Sequence, residues 1–217
     1  MTIPSHSRRR GLFIVVEGPD ASGKTTLARR LMAHYRHIGC AVCAVREPGG
    51  TRVSERIRRI LLDPKAAINA RSELFLYLAA RAQLVDEVIR PAKNLGAIVI
   101  ADRFSLSTLA YQSGGRRLPL KTVRAADDLA RDGLRPDLTI VLGVTAAQQR
   151  ARRHPSRRRD RIERETAPFF ARVRRAYARF GKGGTRQLVI DSGIGANAVY
   201  NEALAAIDRL NKRARRR

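Results

Sequence analysis

The stretch Gly18-Pro19-Asp20-Ala21-Ser22-Gly23-Lys24-Thr25 limits the chemistry of this chain more narrowly than any other. It fits GxxxxGK[ST], and its glycines let the backbone wrap tightly enough for several N–H groups to point at one anion. A helix opening at Gly23 would add its positive end, and Lys24 a point charge suited to a polyphosphate. Asp20 cannot cradle those phosphates with its own carboxylate, because like charges repel. The spacing therefore expects a nucleoside triphosphate but leaves the reaction open. Further candidates lie along the chain. Asp102-Arg103 follows a buried apolar run, while Tyr77 and Arg81, and again Thr108 and Gln112, are four residues apart and share a helical face. Arg150–Arg164 holds eight arginines against two acids, a density fit to meet developing negative charge.

These residues need a scaffold that brings them together. Apolar, β-rich runs alternate with segments of helical period, the pattern of a parallel sheet with helices on both faces. Strands are expected at Leu12–Glu17, Val42–Arg46, Ala97–Ala101, Leu138–Val144 and Gln187–Ile190. Helices are expected from Gly23 and over Thr51–Leu62, Arg71–Pro91, Ser107–Gln112, Leu120–Arg131, Ala146–Arg153, Ala167–Phe180 and Ala196–Asn211. Glu17-Gly18, Arg46-Glu47-Pro48, Asp102-Arg103 and the segment after Val144 then all fall at strand ends. Ligands of open α/β sheets bind there, so the pattern expects one site.

Composition narrows the remaining classes. With 217 residues the chain can bury an ordinary core, and no stretch is long and apolar enough to span a bilayer. Domain boundaries are expected at a disordered basic tail over 1–10, a single domain over 11–211 with a lid at about 150–164, and a basic tail over 212–217. Cys40 and Cys43 fall in a short apolar run, where an offset of three on a strand sends the thiols to opposite faces. They read as core side chains of a protein in a reducing cytoplasm. The net charge of +25 points to an anionic partner. A groove for nucleic acid would interleave aromatics with its cations. Aromatics are scarce here, and the arginines crowd where a lid is expected, so no specific nucleic acid is expected.

Several separated motifs resemble thymidylate kinases from Leu12 to Leu210. They are Gly18-Pro19-Asp20, Arg46-Glu47-Pro48-Gly49-Gly50-Thr51, Tyr77-Leu78-Ala79-Ala80-Arg81, Asp102-Arg103-Phe104, Ser107-Thr108-Leu109-Ala110-Tyr111-Gln112 and Asp160-Arg161-Ile162-Glu163. The resemblance implies an α/β P-loop nucleoside monophosphate kinase fold, with a five-stranded parallel sheet flanked by helices. It also implies transfer of the γ-phosphoryl of ATP to dTMP, with Mg²⁺, in a homodimer. ATP would lie against Gly18, Pro19, Asp20, Ala21, Ser22, Gly23, Lys24, Thr25 and Thr26, and the metal near Thr25 and Asp102. By the same resemblance Arg103 clamps the acceptor phosphate, where a planar guanidinium fork suits the chemistry. Asp20 faces the acceptor's 3′-hydroxyl and the metal region. Tyr77 stacks on thymine, Arg81 bonds its carbonyl edge, and Pro48 adds apolar surface. Ser107, Thr108 and Gln112 supply polar groups, and Tyr111 packs beneath the sugar. Some members carry a P-loop arginine where this chain has Ala21, so the catalytic arginine is expected in the lid. Arg161 is the first choice, with Arg153 and Arg157, Arg158 and Arg159 as candidates. The rivals are a deoxynucleoside kinase, which needs a base to activate a hydroxyl, and a basic P-loop protein that binds nucleic acid.

Overall fold

A computed structural model describes residues 11–152, 159–182 and 184–214. Five parallel strands stand in the order β2-β3-β1-β4-β5: β1 (Leu12–Glu17), β2 (Val42–Arg46), β3 (Ile98–Asp102), β4 (Leu138–Gly143) and β5 (Gln187–Asp191). The expected five-stranded parallel sheet is thus present. The central strand has no polar face because helices cover both sides. Leu12, Ile14 and Val16 pack on one side with Leu27, Leu31 and Ile207. Phe13 and Val15 pack on the other with Leu84, Ile89 and Phe104. Every residue of β1 is buried, which explains why its sequence runs apolar without alternation.

The first group of covering helices is α1 (Lys24–His37), α2 (Arg52–Leu62), α3 (Ala70–Leu84), α4 (Arg90–Asn94) and α5 (Ser105–Thr108). The second is α6 (Leu120–Arg131), α7 (Ala146–Ala151), α8 (Ala167–Phe180) and α9 (Ala196–Ala214). Two differences from the expected pattern bear on the site. A π turn over Val85–Ile89 links α3 to α4, so the helix passes Pro91 and ends at Asn94. The wider turn makes room for the proline ring, which would otherwise crowd the carbonyl four residues back. A second π turn, Leu109–Gly115, extends α5 and carries Tyr111 and Gln112. At its end Gly114 and Gly115 lie so close to α8 that a Cβ would meet Ala176 at 2.6 Å and Phe169 at 2.5 Å.

Cys40 lies in the turn before β2 rather than on it, and both cysteines are free and partly buried. The break falls there because Gly39, at φ +76, ends the helical turn. Helix α9 continues past Asn211 to Ala214, into the segment expected as a tail. The expected tail at 1–10 and residues 215–217 lie outside the described residues, as do Arg153, Arg157 and Arg158 of the lid.

Candidate active site

The strand ends converge as the alternation requires. In the sheet register Val16 and Arg46 both sit opposite Asp102, so β1, β2 and β3 end at one level. From β1 the chain turns through Gly18, at φ +142, where a Cβ would stand 2.6 Å from the Leu142 carbonyl oxygen. Only a residue without a side chain fits so near β4. Gly23, at φ +95, is the N-cap of α1, and no side chain caps that terminus. The N–H groups of the first turn are thus left for a ligand.

Lys24 reaches back to the Pro19 carbonyl oxygen at 2.8 Å. Burial, with the nearby Arg103 guanidinium, pushes its ammonium down to about 8. Thr25 Oγ1 donates to Asp102 Oδ2 at 2.6 Å, while Asp102 Oδ1 is buried without a partner. That orphaned oxygen beside the P-loop hydroxyl is what a hydrated Mg²⁺ needs. Among the described residues no three His, Cys, Asp or Glu side chains converge, so a cation here would draw its other oxygens from phosphates and water.

Arg103, in the left-handed region at φ +78, turns its guanidinium into a ring of oxygens. Nη1 donates to the Gly18 carbonyl oxygen at 3.2 Å and to Ser107 Oγ and Tyr177 OH at 3.1 Å each. Nη2 pairs with Asp20 and donates to Tyr111 OH at 3.3 Å. Tyr111 in turn donates to the other Asp20 oxygen at 2.9 Å. Behind this ring lies Glu17, fully buried. Its Oε1 accepts from Phe104 N and Ser107 N at 2.8 and 3.0 Å, and its Oε2 from Ser107 Oγ at 2.6 Å and Tyr177 OH at 3.1 Å. Burial pushes the Glu17 carboxyl up, opposed by these bonds and by Arg103. Sequence reading missed both Glu17 and Tyr177. A carboxylate closing an otherwise apolar strand was the signal for Glu17, whereas nothing in its local pattern marks Tyr177.

Arg81 is almost wholly buried. Its Nε donates to both Glu47 oxygens at 3.1 and 2.9 Å, and Nη1 donates to Thr108 Oγ1 at 2.8 Å. Short ion pairs to Glu47 and Asp127 complete its shell. Its fixed position thus depends on Glu47, which the sequence marked only as part of a strand-end motif, and on Asp127, which it did not mark. Beside it opens a cleft of about 760 Å³ whose walls include Asp20, Lys24, Thr25, Pro48, Tyr77, Arg81, Asp102, Arg103, Ser107, Thr108, Tyr111 and Gln112. Residues separated by some ninety positions in sequence share that cleft with the start of the phosphate loop.

The lid arginines divide. Arg161 donates through Nε to the Leu61 carbonyl oxygen at 2.8 Å and pairs with Glu73 at 2.7 Å, while its Nη2 is buried without a partner. Its neighbours Asp160, Ile162 and Glu163 line the cleft, but Arg161 itself does not. Arg152, at the end of α7, bonds Ser192 Oγ and the Ser192 carbonyl oxygen at 2.9 and 2.7 Å and reaches the Ala21 carbonyl oxygen at 3.5 Å. Arg152 thus joins the P-loop to the segment after β5, a link that sequence reading did not single out.

Comparison with known proteins gives one consistent result. A family model described as thymidylate kinase matches residues 16–203. The chain is 43% identical over 207 residues to a thymidylate kinase of Desulforudis audaxviator, covering 91% of this chain and 92% of that one. It is 42% identical over 207 residues to one from Pseudomonas fluorescens, covering 94% and 99%. The crystal structure of thymidylate kinase from Ehrlichia chaffeensis superposes with a TM-score of 0.73 at 29% identity, covering 91% and 98%.

Proposed function

The chain belongs to the thymidylate kinase family, and we propose that its cleft transfers the γ-phosphoryl group of Mg·ATP to dTMP, giving dTDP and ADP. One observation carries this reading: the Gly18–Thr25 loop and the residues suited to a pyrimidine nucleotide open on the same cleft, with Arg103 between them. Joining two anionic phosphates needs positive charge and alignment more than a strong base, because the acceptor phosphate is already a competent nucleophile.

The residues divide the work accordingly. The loop amides of Gly18 to Thr26 and the Lys24 ammonium hold the ATP phosphates. Thr25 and Asp102 would hold Mg²⁺, which when bound would offset the charge of those phosphates. Arg103 exchanges part of its hydroxyl and carbonyl ring for the acceptor phosphate, and Asp20 and Tyr111 then meet the sugar. Tyr77 and Pro48 flank the base, while Arg81, Thr108 and Gln112 present polar atoms to its edge. Lid closure brings arginines from about 150–164 to the developing charge and excludes water. Arg161 serves that role once it leaves Glu73, and Arg159 is the other described candidate.

The unit that does this is a single kinase domain over 11–211, acting in the cytoplasm as a homodimer. Support for the dimer comes from Ile60, Phe75 and Leu129, which are 50%, 65% and 83% exposed on α2, α3 and α6. These helices pack side by side, α3 touching both of the others. Exposed apolar side chains on adjacent helices suit a face-to-face helical interface. The test of the function is a coupled assay of ADP production comparing dTMP, dUMP, dCMP and thymidine. Turnover of dTMP without turnover of thymidine is expected. Equal turnover of thymidine would replace the reading with a nucleoside kinase.

A further inference from the structure

Glu73, in the first turn of α3, is completely buried, and the chemistry above involves it only as the partner that Arg161 leaves. Its carboxylate meets four donors. Oε1 accepts from Gln112 Nε2 at 2.9 Å and Arg116 Nε at 3.0 Å. Oε2 accepts from Arg116 Nη2 at 2.8 Å and forms an ion pair with Arg161 Nη1 at 2.7 Å. Every partner brings a hydrogen, so a protonated Glu73 would turn its own hydrogen against one of them. Burial alone would raise its carboxyl, but the bonds and charge of Arg116, with Gln112 and Arg161, hold it below the usual carboxylate range.

An ionised carboxylate accepts and cannot donate, so only the NH₂ end of the Gln112 carboxamide can face it. The Gln112 carbonyl oxygen is thereby turned the other way. Gln112 is 2% exposed and lines the cleft. Among the described residues no other hydrogen bond involves its side chain. A lone carboxamide could rotate to offer either a donor or an acceptor, but this one is held with its acceptor free.

We infer that Glu73 is a positioning residue for base specificity: it locks Gln112 so that a carbonyl oxygen, not an NH₂ group, meets the pyrimidine. This rests on the cleft being the dTMP site. A base with a ring N3–H can donate to that oxygen. Cytosine instead presents a lone pair at N3, which meets another lone pair and leaves both unpaired. The ring of donors around one carboxylate thus selects 2,4-dione pyrimidines and rejects 4-amino ones.

The test compares kcat/KM for dTMP and dCMP in the parent, Glu73→Gln and Gln112→Met enzymes, each checked for a cooperative thermal transition. The Glu73→Gln side chain can accept or donate, so Gln112 regains its freedom to rotate. The dTMP-to-dCMP ratio should then fall by about tenfold or more, with Arg81 retaining the rest of the discrimination. Gln112→Met, which leaves Glu73 and both arginines in place, should lower the ratio as well. A merely structural role would lower both substrates alike, so a ratio within about twofold of the parent in either variant overturns the inference. If Glu73→Gln fails to fold, Glu73→Asp decides by the same ratio, because it keeps the charge but falls short of Gln112. A parent enzyme that leaves dTMP unphosphorylated would refute the proposed function itself, a separate outcome.

Discussion

Replacing Arg103 with alanine removes the group on which the acceptor phosphate depends. In the free enzyme the guanidinium donates to the Gly18 carbonyl, Ser107, Tyr177 and Tyr111 and pairs with Asp20. Each charge-assisted bond to a phosphate oxygen contributes roughly 1.5–3 kcal/mol. A two-pronged clamp acting in the transition state therefore contributes about 3 kcal/mol at the least. At about 1.4 kcal/mol per decade, Arg103→Ala should lower kcat/KM for dTMP by at least about two decades. Arg103→Lys restores the charge but not the fork, and should recover about one of them. The assay is initial-rate ADP production at saturating ATP over a range of dTMP, with the rate without dTMP subtracted. A thermal melt beside it keeps a folding defect from passing for a catalytic one, since Glu17 and Asp20 both lose their cationic neighbour. An Arg103→Ala enzyme that stays folded and keeps its kcat/KM for dTMP within about fivefold of the parent refutes the clamp.

Lys24 should make ATP binding sensitive to mild alkali. Its ammonium is held at about 8, below the ordinary 10.5, so it is charged below pH 8 and loses its proton above, where an unfolded lysine would still keep it. The cost of burying that charge is therefore full below pH 8 and eases as pH rises from about 8 to 10.5, so this residue's contribution favours stability more at the upper end. Titration calorimetry on the free enzyme should find ATP affinity weakening by about tenfold between pH 8 and 9.5, with dTMP affinity steady; a flat ATP profile would reject Lys24 as the phosphate's charge partner. Thr25→Ala should raise the Mg²⁺ needed for half-maximal rate and lower kcat by about tenfold or more, and an unaltered magnesium titration would remove Thr25 from the metal site. Phe75→Asp should convert a two-subunit species into a one-subunit species in sedimentation velocity at micromolar concentration, and an unchanged sedimentation coefficient would take α3 out of the interface.

Sequence made the frame legible because its signals are local. The run LFIVVE is buried at every position, and only a strand covered on both faces carries such a run next to a glycine turn. Spacings of four brought Tyr77 with Arg81, and Thr108 with Gln112, onto one cleft wall. What stayed hidden are partners whose meaning exists only in three dimensions. Glu17 and Tyr177 meet across 160 positions, Arg81 and Glu47 across 34, and Gln112 and Glu73 across 39. In sequence Glu73 is one more acid in the first turn of a helix, where acids are common because of the helix dipole. Arg161 shows the same limit, since its motif marks it as noteworthy but cannot say that Glu73 engages it in this conformation. The π turns were invisible because one extra residue shifts the apolar phase only from that point on, and in segments this short the shift cannot be told from ordinary irregularity.

The backbone of Arg103 carries a consequence for how this enzyme can change. Residues with a Cβ rarely occupy φ +78, and one held there costs the fold on the order of 1 kcal/mol that a glycine would not. A glycine there would relieve the backbone but give up the Asp20 ion pair and leave the buried Glu17 without its cationic neighbour, a larger loss than the strain it removes. Codon 103 is thus closed to glycine on both counts: a mutant library selected for survival at high temperature and one selected for thymidine-nucleotide supply should both retain arginine.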